Sequence, residues 1–166
     1  MSVGEHRKTS PVSASFCVVT VSDSRTVSDD ASGDAIVRAI EASGHSVLRR
    51  IIVKDDAQML NRVFDEMIGT GTNAIIFSGG TGITARDVTY ETIAPRLDRR
   101  IDGFGELFRH LSYEEVGSAA MMSRAFGGVT AGTLVFCLPG SPEGALLAME
   151  KLILPEIGHL VREAKR

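Results

Sequence analysis

Three stretches of this chain are apolar almost without interruption: Ser15–Val21 (SFCVVTV), Ala74–Ser78 and Thr133–Leu138 (TLVFCL). Such short runs predict strands buried on both faces. Ser46–Val53 reads as a further strand. Between the strands the apolar residues recur at helical spacing. Residues 34–43 place Ile36, Ala39 and Ile40 on one face and stop at Gly44. Residues 57–68, capped by Asp56, carry a stripe of Met59, Leu60, Val63, Phe64, Met67 and Ile68. A helix is expected over 89–97. Residues 103–111 form another, with Phe104, Leu107, Phe108 and Leu111 at helical spacing. Ser112 to Glu115 matches a capping box, and 119–125 reads as a short helix. After Thr133–Leu138, Ser141 caps and Pro142 opens a helix over 142–153, with a last one over 156–164.

Strands and helices alternate, which predicts an α/β fold with a mostly parallel sheet covered on both faces. In such sheets ligands bind beyond the carboxyl ends of the strands. Four loops follow strands directly. They begin at Ser22-Asp23-Ser24, Lys54-Asp55-Asp56, Gly79-Gly80-Thr81-Gly82 and Pro139-Gly140-Ser141. Each carries polar or glycine chemistry, so the candidate site is one edge of the sheet.

Composition narrows the function. At 166 residues the natural count is one domain over 15–166, with polar residues 1–14 as a flexible tail. The net charge of −3 argues against a nucleic-acid surface and provides no general attraction for an anion. Anion binding must then come from local N–H groups and a few arginines. Cys17 and Cys137 sit in apolar strands as buried thiols, and the four histidines are scattered, so no zinc site is expected. No run reaches membrane-spanning length and no signal core opens the chain, so a cytoplasmic location is expected.

The loop at 79–87 holds the strongest chemistry. Glycines permit positive φ and close approach of a ligand to the main chain. Successive N–H groups ahead of a helix make an anion site. Thr81 and Thr84 can donate to phosphate oxygens, and Arg86 can pair with phosphate or with a carboxylate. Asp87 either caps the next helix or, with Thr89 as the cap, is free for ligand work. Of Asp55 and Asp56 one caps a helix, and the other can hold Mg²⁺ beside Asp87. Ser22 and Asp23 follow the first strand directly, while Asp29, Asp30 and Asp34 read as solvated. Ser123-Arg124 is either an anion contact or a surface helix end. The letters Gly69-x-Gly71-x-x-Ala74 precede a strand instead of following one, so they are no dinucleotide loop. Walker A and Gly-x-Ser-x-Gly sequences are lacking.

The combination SGGTGITARDVTYETI, DGFGELFR, LSYEEVGSAAMMSR and LPGSP, with TVSDSR upstream, resembles the MoaB/MogA family of molybdenum-cofactor biosynthesis. The gephyrin and plant cofactor-synthesis G domains are similar. The resemblance runs from about residue 16 to about residue 160. It implies a three-layer αβα fold and a homotrimer or a hexamer of two trimers. It further implies Mg²⁺-dependent adenylylation of molybdopterin by ATP, with a downstream molybdenum-insertion protein as a partner. A molybdopterin-binding scaffold without catalysis is the alternative. The family's acidic pair falls on Asp55 and Asp87, as catalytic and metal-holding residues. Its phosphate and pterin loop falls on Gly79, Gly80, Thr81 and Gly82, its serine-arginine on Ser123 and Arg124, and its late loop on Pro139, Gly140 and Ser141; Arg86-Asp87, a pair that some members lose, is kept here. Lys54 and Ser78 depart from the family's usual proline and threonine, and neither change removes a charged group.

Overall fold

A computed structural model of the protein describes residues 13–166, so of the expected tail only Ser13 and Ala14 fall inside it. The strands are β1 (Ser15–Val21), β2 (Ser46–Val53), β3 (Ala74–Ser78), β4 (Arg99–Arg100), β5 (Phe126–Thr130) and β6 (Thr133–Leu138). They form one sheet in the order β2-β1-β3-β6-β5-β4. The first four in that order run parallel, and β5 and β4 add an antiparallel margin.

The helices are α1 (Ala31–Ala42), α2 (Ala57–Gly69), α3 (Thr89–Ile93), α4 (Asp102–Val116), α5 (Pro142–Ala148) and α6 (Leu154–Ala164). Side chains alternate across the sheet and so build two cores. Phe16, Val18, Ile76 and Phe136 pack under α1, α4, α5 and α6, against Ile36, Ile40, Phe108 and Ile157. Cys17, Val19, Ile75, Phe77 and Cys137 pack on the other face against Leu60, Phe64 and Met67 of α2 and Ile93 of α3. This is the expected three-layer arrangement. Both cysteines are buried free thiols, and burial pushes Cys137 well up.

Several elements differ from the pattern expected in the sequence. The helix expected at 119–125 is a 3-10 segment, Gly117–Met122, and the antiparallel pair β4 and β5 was not expected. Gly127-Gly128 looks like a turn, yet both glycines sit inside a strand for want of room. A Cβ on Gly127 would come within 2.8 Å of Phe136 Cε1, and one on Gly128 within 2.6 Å of Leu97 Cδ1. The hairpin to β6 turns through Ala131 and Gly132, at φ 49° and 74°. Two positive φ values match the twist of the flanking strands, but alanine does not advertise them. The capping-box letters at Ser112 lie inside α4, which runs on to Val116. From α5 the chain continues through a π turn, Met149–Ile153, straight into α6. Pro155 clashes with the carbonyl four residues back in a regular helix, and the wider turn relieves that clash.

The parallel register leaves four strand ends level. Thr20 pairs with Ser78, Ser78 with Leu138, and Val21 with Val53. Main-chain bonds extend this order into the loops, from Ser22 N to Val53 O and from Gly79 N to Leu138 O, each 2.9 Å. The four polar loops therefore share one edge.

Candidate active site

The loop after β1 folds on Ser22, whose Oγ accepts from the N–H groups of Ser24 and Arg25 at 3.3 and 3.1 Å. The chain then enters α1 at Asp30, not at Asp34. Asp30 caps that helix by accepting from Gly33 N at 3.0 Å. It is not solvated as expected but has no exposed surface. Thr20 Oγ1 donates to it at 2.8 Å and Arg50 Nη2 at 3.0 Å. Burial alone would raise its pKa; the bonds from Arg50, Thr20 and the Gly33 N–H outweigh that and hold it below the usual carboxylate range.

Asp23 ties neighbouring loops together. It accepts from Asp55 N at 3.2 Å and pairs with Arg86. The Arg86 bond and charge, with the Asp55 N–H, lower its pKa. After β2, Asp56 caps α2 by accepting from Met59 N at 2.9 Å, as expected. Asp55 is half-buried and accepts from Val88 N at 3.3 Å. Burial pushes the Asp55 carboxyl up, and the charges of Asp87 and Asp23 add to this against the Val88 bond.

The glycine loop takes the shape its composition suggests. Gly79 and Gly80 have φ of 114° and 68°. Thr89 Oγ1 donates to Gly79 O at 2.9 Å, so Thr89 braces the loop and does not cap α3. The N-cap of α3 is Val88, with no side-chain bond. Asp87 does not cap that helix either. Its Oδ2 accepts from Thr84 Oγ1 at 2.6 Å and from Thr84 N at 2.9 Å. Burial acts to raise Asp87, but the bonds from Thr84 and the Gly82 N–H, with the charge of Arg124, bring it below its ordinary value.

Arg124 holds the loop from the far side. Its N–H donates to Thr81 O at 2.9 Å, its Nε to Gly82 O at 2.8 Å and its Nη2 to Asp87 O at 3.2 Å, and it pairs with Glu91. After β6, Ser78 Oγ donates to Pro139 O at 3.1 Å, and Ser141 caps α5 by accepting from Gly144 N at 3.2 Å.

Together these loops surround a cleft of about 560 Å³. Ser22, Asp55, Gly79, Gly80, Thr81, Gly82, Asp87, Ser123, Pro139, Gly140 and Ser141 all line it. Asp23, Arg86 and Arg124 do not; Asp23 and Arg86 pair with each other, and Arg124 binds the Gly82 carbonyl. Arg25, Ser24 and Met122 line it too, and the sequence did not single them out. Arg25 sits in an ordinary polar run, and its partner Gly140 lies 115 residues away. Its signals are a position three residues past Ser22 in a strand-end loop and its place at the end of TVSDSR.

A strand-end cleft with a glycine loop facing carboxylates lies where open α/β sheets bind their ligands. A family model described as "Probable molybdopterin binding domain" matches residues 17–159. The chain is 46% identical over 168 residues to molybdenum cofactor biosynthesis protein B of Bacillus subtilis (strain 168), covering 100% of this chain and 99% of that one. It is 43% identical over 149 residues to the protein of that name in Staphylococcus carnosus, covering 88% of each. Among solved structures, a molybdenum cofactor biosynthesis protein B superposes with a TM-score of 0.89 at 44% identity, over 92% of this chain and 96% of that one. The tungsten cofactor synthesizing protein MoaB from Pyrococcus furiosus gives 0.86 at 35%, over 94% and 99%. The chain belongs to the MoaB/MogA family of molybdenum-cofactor biosynthesis.

Proposed function

We propose that this protein is a molybdopterin adenylyltransferase. A phosphate oxygen of molybdopterin attacks the α-phosphorus of ATP, and the bond from that phosphorus to its bridging oxygen breaks. Pyrophosphate carries the bond electrons away, and adenylyl-molybdopterin remains. A phosphate monoester dianion needs no base, so positioning and neutralisation of charge supply the rate. The observation that carries this reading is the pairing within one cleft of a positive-φ glycine cradle with the carboxylates Asp55 and Asp87. N–H groups hold anions directly; carboxylates beside them suit phosphates that arrive with a cation.

The residues fit Mg²⁺. Burial and neighbouring negative charge disfavour an ionised Asp55, and a cation there relieves both. Among the described residues no group of three or more His, Cys, Asp or Glu is placed to hold a metal. Two carboxylates, with substrate phosphates and water completing the shell, are the usual Mg²⁺ arrangement. Asp55 and Asp87 would hold the ion, which when bound neutralises phosphate charge and orients the two substrates. Arg86 and Arg124 hold the cradle, while Thr81, Gly82 and Ser123 meet the ligands. The protein works as a cytoplasmic trimer or hexamer and passes its product to a molybdenum-insertion protein.

Pyrophosphate release from ATP, with and without molybdopterin, tests this. Release that depends on molybdopterin is expected. Saturable molybdopterin binding with no pyrophosphate would instead make the protein a binding or scaffold member of its family.

A further inference from the structure

Three arginines stand at the site edge of the sheet, and they are not equivalent. Arg86 is held by Asp23, and Arg124 by Glu91 and the carbonyls of Gly82 and Asp87. Neither lines the cleft, whereas Arg25 does. Arg25 is anchored through one nitrogen. Its Nη1 donates to Ser32 Oγ at 2.8 Å and to Gly140 O at 3.0 Å, with Asp30 Oδ1 at 4.0 Å. Ser32 and Asp30 are wholly buried, so the anchor is fixed. Among the described residues nothing accepts from Nε or Nη2, and 31% of the side chain stays exposed. A guanidinium clamped by one nitrogen presents its other donors in a constant direction, which suits the planar fork for phosphate oxygens.

We propose that Arg25 binds a phosphate dianion directly, without metal, in the part of the cleft between the loops after β1 and β6. The carboxylates Asp55 and Asp87 come from the other two loops and repel a bare anion. On the adenylyl-transfer reading, which names the phosphate's carrier but not the anion site itself, Arg25 takes the phosphate monoester of the pterin substrate.

The test is calorimetric titration of the intact protein with inorganic phosphate in the presence of EDTA. Arg25→Gln should weaken phosphate binding by about tenfold or more, the scale of a lost charge-assisted hydrogen bond. Arg99→Gln removes the same charge from an exposed position on β4 and should leave it unchanged. Wild-type protein with no saturable phosphate binding, or both variants weakened alike, would overturn the proposal. A role limited to bracing Gly140 is separated by the ¹⁵Nε–¹Hε resonance of Arg25, assigned by its loss in Arg25→Lys. That resonance should move as phosphate saturates, and its indifference would also overturn the proposal. If Arg25→Gln gives no cooperative melt, Arg25→Lys replaces it in the titration; lysine keeps the charge without the fork, and unchanged affinity there counts against direct binding. Phosphate held by Arg25 in a protein that never releases pyrophosphate would defeat the adenylyl-transfer reading alone.

Discussion

Asp30 and Asp87 show how little a residue's letter says about its task. Asp30 lies in a run of polar residues that reads as solvent-facing, yet it is fully buried, because Arg50 reaches it from β2 and Thr20 from β1. Neither partner is visible from its neighbours in sequence. Its folded pKa lies below the ordinary carboxylate value, so its stabilisation is complete above about pH 4 and fades as pH falls through the folded value. Asp30→Asn should cost on the order of 2 kcal/mol near neutrality, the scale of charged hydrogen bonds. Urea melts should show the gap between wild type and variant shrinking below about pH 4; a gap that stays constant to pH 3 would mean that charge is not what Asp30 contributes. Asp87 was legible as a cleft residue but not in its local role, since it caps no helix and instead gathers Thr84. Asp87→Asn keeps an acceptor for those bonds and loses the charge. Turnover should drop by about 10²-fold with little change in melting temperature. Retained turnover beside a large drop in melting temperature would reduce Asp87 to a loop brace.

At the scale of elements, legibility followed the apolar pattern of the side chains. The strands β1, β3 and β6 are buried except at Ser15 and read directly as apolar runs. The pair β4 and β5 was hidden for opposite reasons: β4 has two exposed arginines, and β5 carries glycines that its neighbours require. The glycine loop was legible because glycine is needed there twice, for φ and for space. A methyl on Gly80 would collide with Thr89 Oγ1 and come within 2.9 Å of Asp55 Oδ1. Gly80→Ala therefore strains the backbone and displaces a proposed metal-holding carboxylate. Its melting temperature should fall by about 4–8 °C, as for one strained residue in a chain this size. Molybdopterin binding should weaken by about tenfold or more, read by titration calorimetry. Wild-type affinity in this variant would mean that the loop is only a turn.

The molecule as a whole leaves apolar surface uncovered on the side of α4 and the 3-10 segment after it. The expected stripe of Phe104, Leu107, Phe108 and Leu111 divides: Phe104 and Phe108 enter the core, whereas Leu107 is 54% exposed. Val116, Met121 and Met122 are exposed beyond it, at 58%, 79% and 47%. Core packing accounts for Phe104 and Phe108, Leu111 is half-buried, and exposed apolar surface of this kind marks association. Met122 also lines the cleft, so this surface reaches the site. Self-association is therefore expected to cover the lip of the cleft as well as the helix. Light scattering at micromolar concentration should give a multiple of 17.8 kDa, three or six subunits on the proposed assembly. Leu107→Glu with Val116→Glu places charge in that contact and should shift the mass toward one subunit without unfolding, because neither side chain belongs to the core. The separated subunits should also hold molybdopterin more weakly, since Met122 then stands in water at the cleft's edge. A wild-type mass of 17.8 kDa at every concentration would remove the assembly from the proposal. The cleft chemistry would be untouched, because its loops are braced within one chain by Asp23, Arg86 and Arg124.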